Sequence, residues 1–412
     1  MPGVSTTIAA CRTCGSARLD PLLDLGSQPP ANSLRRAASE PLPSVPLRLC
    51  RCAECATVQL TETVDPAFLF QHYVWVTGTS RTAVEYSHAF CSRLRGRAGT
   101  GGPLFVVEVA SNDGTFLRRF QEAGDRVLGI DPAANIAAEA VAAGIPTWAE
   151  FFDERVAERV VHEHGTADAA FARNVLPHAP DPLGILRGMA ACLDDDGVAA
   201  IEFHQADAIL DELHYDSIYH EHLFYHSLGT MEQLLQRARL VPFDLASSPI
   251  SGGSLVVYCS NRGRQATAEL EERRQRESAA GTNTLERWQD FSRRSEEHAR
   301  KLRRLVDGVA AGGKRLVGYG ASARSSTLLN FCGIDHRQLL AIADRSPHKH
   351  GLLTPGTDVR ILPPAEALAL APDAVLLLAW NFREEILDEL RTRGFHGTVI
   401  LPLPGDPTIL SV

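Results

Sequence analysis

The hydrophobic positions along the chain fall into two textures. From residue 104 onward, apolar runs of strand length alternate with segments long enough for helices, the runs being 104–109, 126–130, 167–172, 198–203 and 255–259. Such alternation predicts an α/β domain on a mainly parallel sheet, because parallel strands need crossover connections that helices supply. The texture resumes at Lys314, with runs at 316–319, 340–343, 374–378 and 398–401, and predicts a second α/β block of related architecture. Between the blocks, residues 266–306 are dense in Glu, Arg and Gln and read as a solvated helix bridging two domains. Upstream the pattern is irregular. Residues 24–32 read as a loop from their Gly and Pro content, and the polar and aromatic stretch 73–80 leads into a helix ending near Arg97.

Length and charge narrow the function class. A chain of 412 residues suggests two or three domains. With 44% hydrophobic and 22% charged residues the composition is that of an ordinary globular protein. The net charge of −9, without a dense Lys/Arg block, argues against nucleic acid or an anionic membrane as partner. The longest apolar run, 374–380, is far shorter than a membrane span, and Met1 to Ala10 lack the pattern of a signal peptide. A cytoplasmic, monomeric chain acting on a small molecule is the expectation, and in that compartment the nine cysteines should be reduced.

Five of those cysteines lie in the first 55 residues. Cys11 and Cys14 form one C-x2-C pair and Cys52 and Cys55 another, so two short knuckles can close a tetrahedral four-thiolate site, for which zinc is the expected ion. Four protein ligands leave no open position, so the site should be structural. Cys50 is left outside it because its spacing to Cys55 is less usual.

Two loops could hold a nucleoside. In Glu108-Val-Ala-Ser-Asn-Asp-Gly114 a strand runs into a turn before a helix, and Asp131 ends the next strand, placed to accept hydrogen bonds from ribose hydroxyls. The dinucleotide fingerprint fails, since only Gly114 is present and Glu108 and Asp113 add negative charge where phosphates would sit. The acids suit a cationic cofactor without phosphate, which describes S-adenosylmethionine. The later loop, Gly318-Tyr-Gly-Ala-Ser322, has two of three fingerprint glycines and fits a tight turn or a phosphate cradle equally well.

The segment from Asp216 to His226 packs three histidines, two tyrosines and two acids together, a costly group to bury unless it is used. A metal site from His220, His222 and His226 is disfavoured because Phe224 stands where a His-Glu-x-x-His motif needs histidine.

These features resemble the sugar C-methyltransferases of antibiotic deoxysugar pathways, which methylate C3 of a nucleotide-linked 4-keto-hexose. The likeness rests on the cysteine pairs, the Glu108 loop, Arg173-Asn-Val-Leu-Pro-His178, Tyr215-Asp-Ser-Ile-Tyr-His-Glu-His222, Gly252-Gly-Ser-Leu255, Gly318-Tyr-Gly-Ala321, Asp344-Arg-Ser-Pro347 and Ala379-Trp-Asn-Phe382. It implies a zinc module over 1–70, a Rossmann-like class I methyltransferase domain over 71–305, and a carboxy-terminal Rossmann-like α/β domain over 306–412 that helps bind the nucleotide-sugar. His222 is then the base, Glu221 its tuning partner, and Tyr219 and His178 the groups that hydrogen-bond the sugar. Glu108, Ala110, Asn112, Gly114, Asp131, Pro132, Asn174 and Val175 surround the cofactor. Tyr73, Tyr319, Ser322, Arg324 and Asn381 face the substrate, with Ser322 and Arg324 holding a pyrophosphate. The chain departs from the family at Ser251, where His is common, at Val256, where Arg is common, and at Phe203-His-Gln205, which replaces a Pro-containing segment. These departures point to a substrate other than the best-known 4-keto-2,6-dideoxyhexoses. A nicotinamide-dependent oxidoreductase using the Gly318 loop, a non-catalytic zinc scaffold, and a methyltransferase for a non-sugar substrate stay open as alternatives.

Overall fold

A computed structural model describes residues 4–70, 76–99 and 101–412. Tyr73 lies outside the described residues.

The central sheet has seven strands, in the spatial order Val241–Ser248, Ser254–Ser260, Leu193–His204, Ala167–Arg173, Phe105–Val109, Arg126–Ile130, Thr147–Trp148. The five strands from Leu193–His204 to Thr147–Trp148 are mutually parallel, and Ser254–Ser260 runs antiparallel to both of its neighbours. Its inner strands are buried on both faces, as sheets covered by helices require. The carboxy-terminal sheet has six strands, ordered Ile361–Leu362, Ile342–Ala343, Leu316–Tyr319, Ala374–Leu377, Thr398–Leu401, Thr408–Ser411, with only the last antiparallel. Counted along the chain, both blocks place their first five strands as third, second, first, fourth, fifth. The shared architecture expected from the two alternating textures is therefore a shared strand order, and each block has a switch point between its first and fourth strands.

Three expectations need correction. Residues 24–28 are not loop: Leu19–Gln28 is a strand paired with Val45–Cys52, irregular in register where Gly26 takes φ 79°. The strand Val241–Ser248 was not expected at all. The charged stretch forms two helices, Ala268–Ala280 and Leu285–Ala311, separated by a left-handed Gly281, and the second is not fully solvated. Trp288, Phe291, Ser295, Ala299, Leu302 and Val306 recur at three- and four-residue spacing and are buried along one face. The surrounding charges conceal that stripe in the sequence. This helix also runs through the 305/306 boundary.

The cores explain why. One apolar cluster joins Leu47, Leu49 and Leu60 of the amino-terminal sheet, Tyr215 and Ile218, Trp288 and Leu302 of the long helix, and the carboxy-terminal sheet. Two others cover the faces of the central sheet. The short strand Phe224–Tyr225 completes the amino-terminal sheet by pairing with Val58–Leu60. The segment expected to hold the catalytic residues is thus bound to the first and last parts of the chain, although it lies in the middle of the sequence. No helix among the described residues is long and apolar enough to cross a membrane.

Trp288 seals the junction, with its indole Nε1 donating to Thr282 O at 3.0 Å. Trp288→Ala should therefore lower the unfolding free energy by about 3–5 kcal/mol, measured by urea denaturation.

Candidate active site

A cavity of about 660 Å³ opens at the carboxyl edge of the central sheet, beside the switch point. Glu108, Ala110, Asn112, Asp131, Pro132, Asn174 and Val175 all line it, so seven of the eight expected cofactor residues meet there. Gly114 lies behind the wall, where φ 74° and the Ile145 side chain, 2.9 Å from any added Cβ, require glycine. Ala110, Asn112 and Asn174 take positive φ values of 55°, 52° and 52°, strained turns that bring backbone to the cavity surface. The Asp131 carboxylate accepts from Asn112 N and Ala133 N, both at 2.8 Å, and burial raises its pKa. Segment 76–80 closes over the loop, Thr77 N donating to Asn112 Oδ1 at 2.8 Å.

Sequence reasoning missed Arg173, Thr77, Phe152 and Asp153, which also line the cavity. Arg173 stands in a motif already singled out, and a buried row of acids was the available signal: it approaches Glu202 Oε2 at 3.3 Å and lies over the Phe116 ring. Glu108 is buried, its Oε2 has no hydrogen-bond partner among the described residues, and desolvation pushes its pKa well above the usual carboxylate value.

Four expected catalytic residues cluster beside this cavity. His222 Nδ1 donates to Ser217 O at 3.1 Å, which fixes the tautomer and leaves Nε2 as the lone pair, and the Tyr219 hydroxyl donates to Nε2 at 2.7 Å. His178, which lines the cavity, sets its ring edge-on to His222 with centroids 4.7 Å apart. Burial holds both histidines neutral, His178 at about 4 and His222 well below 6.5. Glu221 is buried, accepts from Asn32 Nδ2 of the amino-terminal module at 2.7 Å, and is pushed up to about 7 by desolvation.

Asp216 anchors this loop. Its carboxylate accepts from Arg324 Nε at 3.0 Å, Arg324 Nη2 at 2.8 Å and Trp380 Nε1 at 2.8 Å. Three of the five Arg324 N–H donors are thus engaged within the protein, and its guanidinium ties the carboxy-terminal domain to the loop and to Ser251 O. Ser322 is engaged as a helix cap, accepting from Ser325 N, and Ala321 N is held by Asp344 Oδ2 at 2.8 Å. The Ala321 amide is thereby engaged, whereas the Ser322 hydroxyl accepts in its cap bond and keeps its own O–H as a donor. Tyr319 is buried, whereas Asn381 is exposed in the turn Trp380–Phe382.

The metal expectation has a simpler geometry. The Sγ atoms of Cys11, Cys14, Cys52 and Cys55 all lie within 4.8 Å of one another, and no other group of three or more potential ligands occurs among the described residues. Cys11 and Cys55 are 3.6 Å apart and Cys14 and Cys52 3.5 Å, close to the roughly 3.8 Å edge of a tetrahedron with 2.3 Å zinc–sulfur bonds. Gln59 Nε2 donates to Cys11 Sγ at 3.1 Å, orienting a ligand from outside the first layer.

Comparison with known proteins bears on this arrangement. Residues 11–70 match the family described as "Putative zinc binding domain", 84–241 a "Methyltransferase domain" and 249–404 a "C-methyltransferase C-terminal domain". Over 425 aligned positions, covering 100% of this chain and 99% of the relative, it is 33% identical to the C-methyltransferase NovU of Streptomyces niveus. The chain belongs to this C-methyltransferase family. Among solved structures, magnesium protoporphyrin IX methyltransferase from Synechocystis is 12% identical, covering 43% of this chain and 79% of that one, with a TM-score of 0.34. A 1,6-didemethyltoxoflavin-N1-methyltransferase from Burkholderia thailandensis is 20% identical, covering 46% and 81%, with a TM-score of 0.33.

The C-methyltransferase therefore uses S-adenosylmethionine and has a zinc module, and its residues fit both groups. The unpartnered Glu108 oxygen and the Asp131 carboxylate, in a cavity of nucleoside size, suit a cationic nucleoside; four thiols at tetrahedral spacing suit zinc. Cys52→Ser should reduce metal content from one zinc per chain toward none by atomic emission, and lower the melting temperature.

Glu221 gives a pH signature. A carboxyl group with a pKa of 4.5 unfolded and about 7 folded binds its proton more tightly in the folded state, so its contribution to stability is full below pH 4.5 and lost as pH rises toward 7. The loss is of order 3 kcal/mol at most. Glu221→Gln should flatten that decline, matching the wild type near pH 4.5 and exceeding it at pH 8 in denaturant titrations.

Proposed function

We propose that this C-methyltransferase acts on a nucleotide-linked 4-keto-deoxysugar, with thymidine diphosphate as nucleotide, and methylates C3 next to the ketone. The observation that carries the reading is the Tyr219–His222 pair, a phenol and a neutral imidazole joined at the edge of the cofactor cavity. Methylation at carbon requires removal of a proton from that carbon and stabilisation of the oxygen on which charge develops. His222 Nε2 is the proton acceptor in this reading, its tautomer held by Ser217 O. Tyr219 supplies the second requirement: a ketone oxygen that draws its hydroxyl away from Nε2 frees the base and receives a hydrogen bond in the same movement. His178 and Glu221 border the sugar. S-adenosylmethionine, held by Asp131, Asn112, Asn174 and the Glu108 side, supplies an electrophilic methyl group.

The nucleotide is assigned to the carboxy-terminal domain. Asp344 repeats the geometry of Asp131, accepting from a loop amide, Ala321 N, and from the amide two residues on, Ser346 N, each at 2.8 Å. Each acid ends the second strand of its block or directly follows it, so the nucleoside position of the first block has a counterpart in the second. In this reading the chain is cytoplasmic, works as a monomer and serves the biosynthesis of a deoxysugar-bearing natural product.

Incubation with S-adenosylmethionine and a thymidine-diphospho-4-keto-6-deoxyhexose should give a product heavier by one methyl group, located at C3 by NMR. His222→Asn should abolish turnover while S-adenosylhomocysteine still binds by calorimetry, and Tyr219→Phe should lower kcat by roughly 10²–10³. Methylation on oxygen or nitrogen, or full activity of His222→Asn, would refute the assignment.

A further inference from the structure

Three side chains outside the cofactor cavity form a hydrogen-bonded chain that the Tyr219–His222 chemistry does not use. Glu212 Oε2 lies 3.0 Å from His214 Nε2, and His214 Nδ1 lies 3.3 Å from His204 Nε2. The two imidazoles are stacked, with centroids 5.5 Å apart at 25°. His214 is fully buried, His204 nearly so, while the Glu212 side chain is about half exposed.

The carboxylate fixes every proton in the series. It accepts, so His214 Nε2 carries hydrogen and His214 Nδ1 is a lone pair; His204 must then donate from Nε2, and its Nδ1 is left as an acceptor. No hydrogen-bond partner for that nitrogen occurs among the described residues. His204 closes the strand Leu193–His204 at the carboxyl edge of the sheet, next to the strand whose last residue, Arg173, lines the cavity. It lies within electrostatic range of His222.

Two glycines follow in the turn that leads into the neighbouring strand. Gly252 and Gly253 take φ 80° and 127°, and a Cβ at Gly252 would sit 3.7 Å from His214, 3.8 Å from Arg324 Nη1 and 3.9 Å from Trp380. The positive φ at both positions favours glycine, and the side chains of His214, Arg324 and Trp380 already pack against Gly252. With the Arg324 guanidinium nearby, a cationic donor is disfavoured, and a neutral hydroxyl is the donor that remains.

We propose that His204 is a specificity-determining residue whose Nδ1 accepts a hydrogen bond from a substrate hydroxyl, with His214 and Glu212 as positioning residues that hold its tautomer. The inference rests on the sugar substrate proposed above. It assigns this enzyme a keto-sugar that retains a hydroxyl beyond those of the 2,6-dideoxy series.

Two measurements test it. Nitrogen-15 NMR of the imidazoles in the unliganded protein should show His204 protonated at Nε2 and bare at Nδ1, and Glu212→Leu, a change at a half-exposed position, should erode that preference. Kinetics should then compare a thymidine-diphospho-4-keto-6-deoxyhexose bearing its C2 hydroxyl with the 2-deoxy counterpart. His204→Phe should raise KM for the hydroxylated sugar by about tenfold, the worth of one hydrogen bond in a dry site, and leave kcat nearly unchanged. The 2-deoxy sugar should be indifferent to that change, and His204→Asn, which keeps an acceptor near the Nδ1 position, should recover most of the loss. A hydrogen on His204 Nδ1, or equal sensitivity of both sugars to His204→Phe, overturns the assignment while the proposed function stands. Failure of the wild type to turn over either sugar overturns the proposed function and this inference with it.

Discussion

The arrangement depends on one buried carboxylate. Asp216 receives two bonds from Arg324 and one from Trp380, and through them the loop carrying Tyr219 and His222 is attached to the carboxy-terminal domain. A buried ion pair is weak grounds for net stability, since desolvation offsets much of its attraction, but losing either partner strands a charge in a dry interior. Its value lies in register. The loop has little regular structure of its own, only the turn Tyr215–Ser217 and two paired residues, Phe224–Tyr225, so its position is set by what it is tied to. Tyr215 makes a second tie, with its hydroxyl 2.8 Å from His298 of the long helix, whose Nε2 in turn donates to Pro402 O. A base supported from three sides needs no rigid element beneath it.

That dependence decides what could be read from sequence. Strands of the two sheets were legible because buried parallel strands are nearly continuous apolar runs, and several bounds, such as Arg126–Ile130 and Leu316–Tyr319, agree to the residue. The wall of the cavity was legible because its residues follow those strands directly. Leu19–Gln28 was not, because Pro21 and Gly26 interrupt a strand whose partner supplies the register. The bond from Arg324 to Asp216 was not legible for a related reason: the partner is 108 residues away. The His204–His214 pair was likewise invisible, since a histidine ending a strand and another after the following helix meet only when both are packed.

Charge sharpens the account of the site. The acids near the cofactor loop were read as a field for a cation, yet burial pushes Glu108 well above its ordinary pKa and raises Asp131 as well. Desolvation favours the neutral carboxyl; a sulfonium ligand would supply the countercharge that favours ionisation. The same desolvation keeps His178, His204, His214 and His222 neutral.

A neutral, dry cleft suits proton removal from carbon better than a strongly charged one. Carbon acids of this kind are weak, so the difficulty lies in the enolate rather than in the strength of the base, and an oxygen anion is stabilised most by fixed donors that water does not screen. In the proposed reading Tyr219 is such a donor, its hydroxyl 2.7 Å from the His222 imidazole. A solvated histidine of ordinary pKa would be a stronger base, but it would sit in water that competes for the Tyr219 hydroxyl. The sequence of constraints runs from Asp216, which places the loop, through the packing that excludes water, to the proposed base His222, whose lowered pKa is the consequence of the dryness that would make its partner effective.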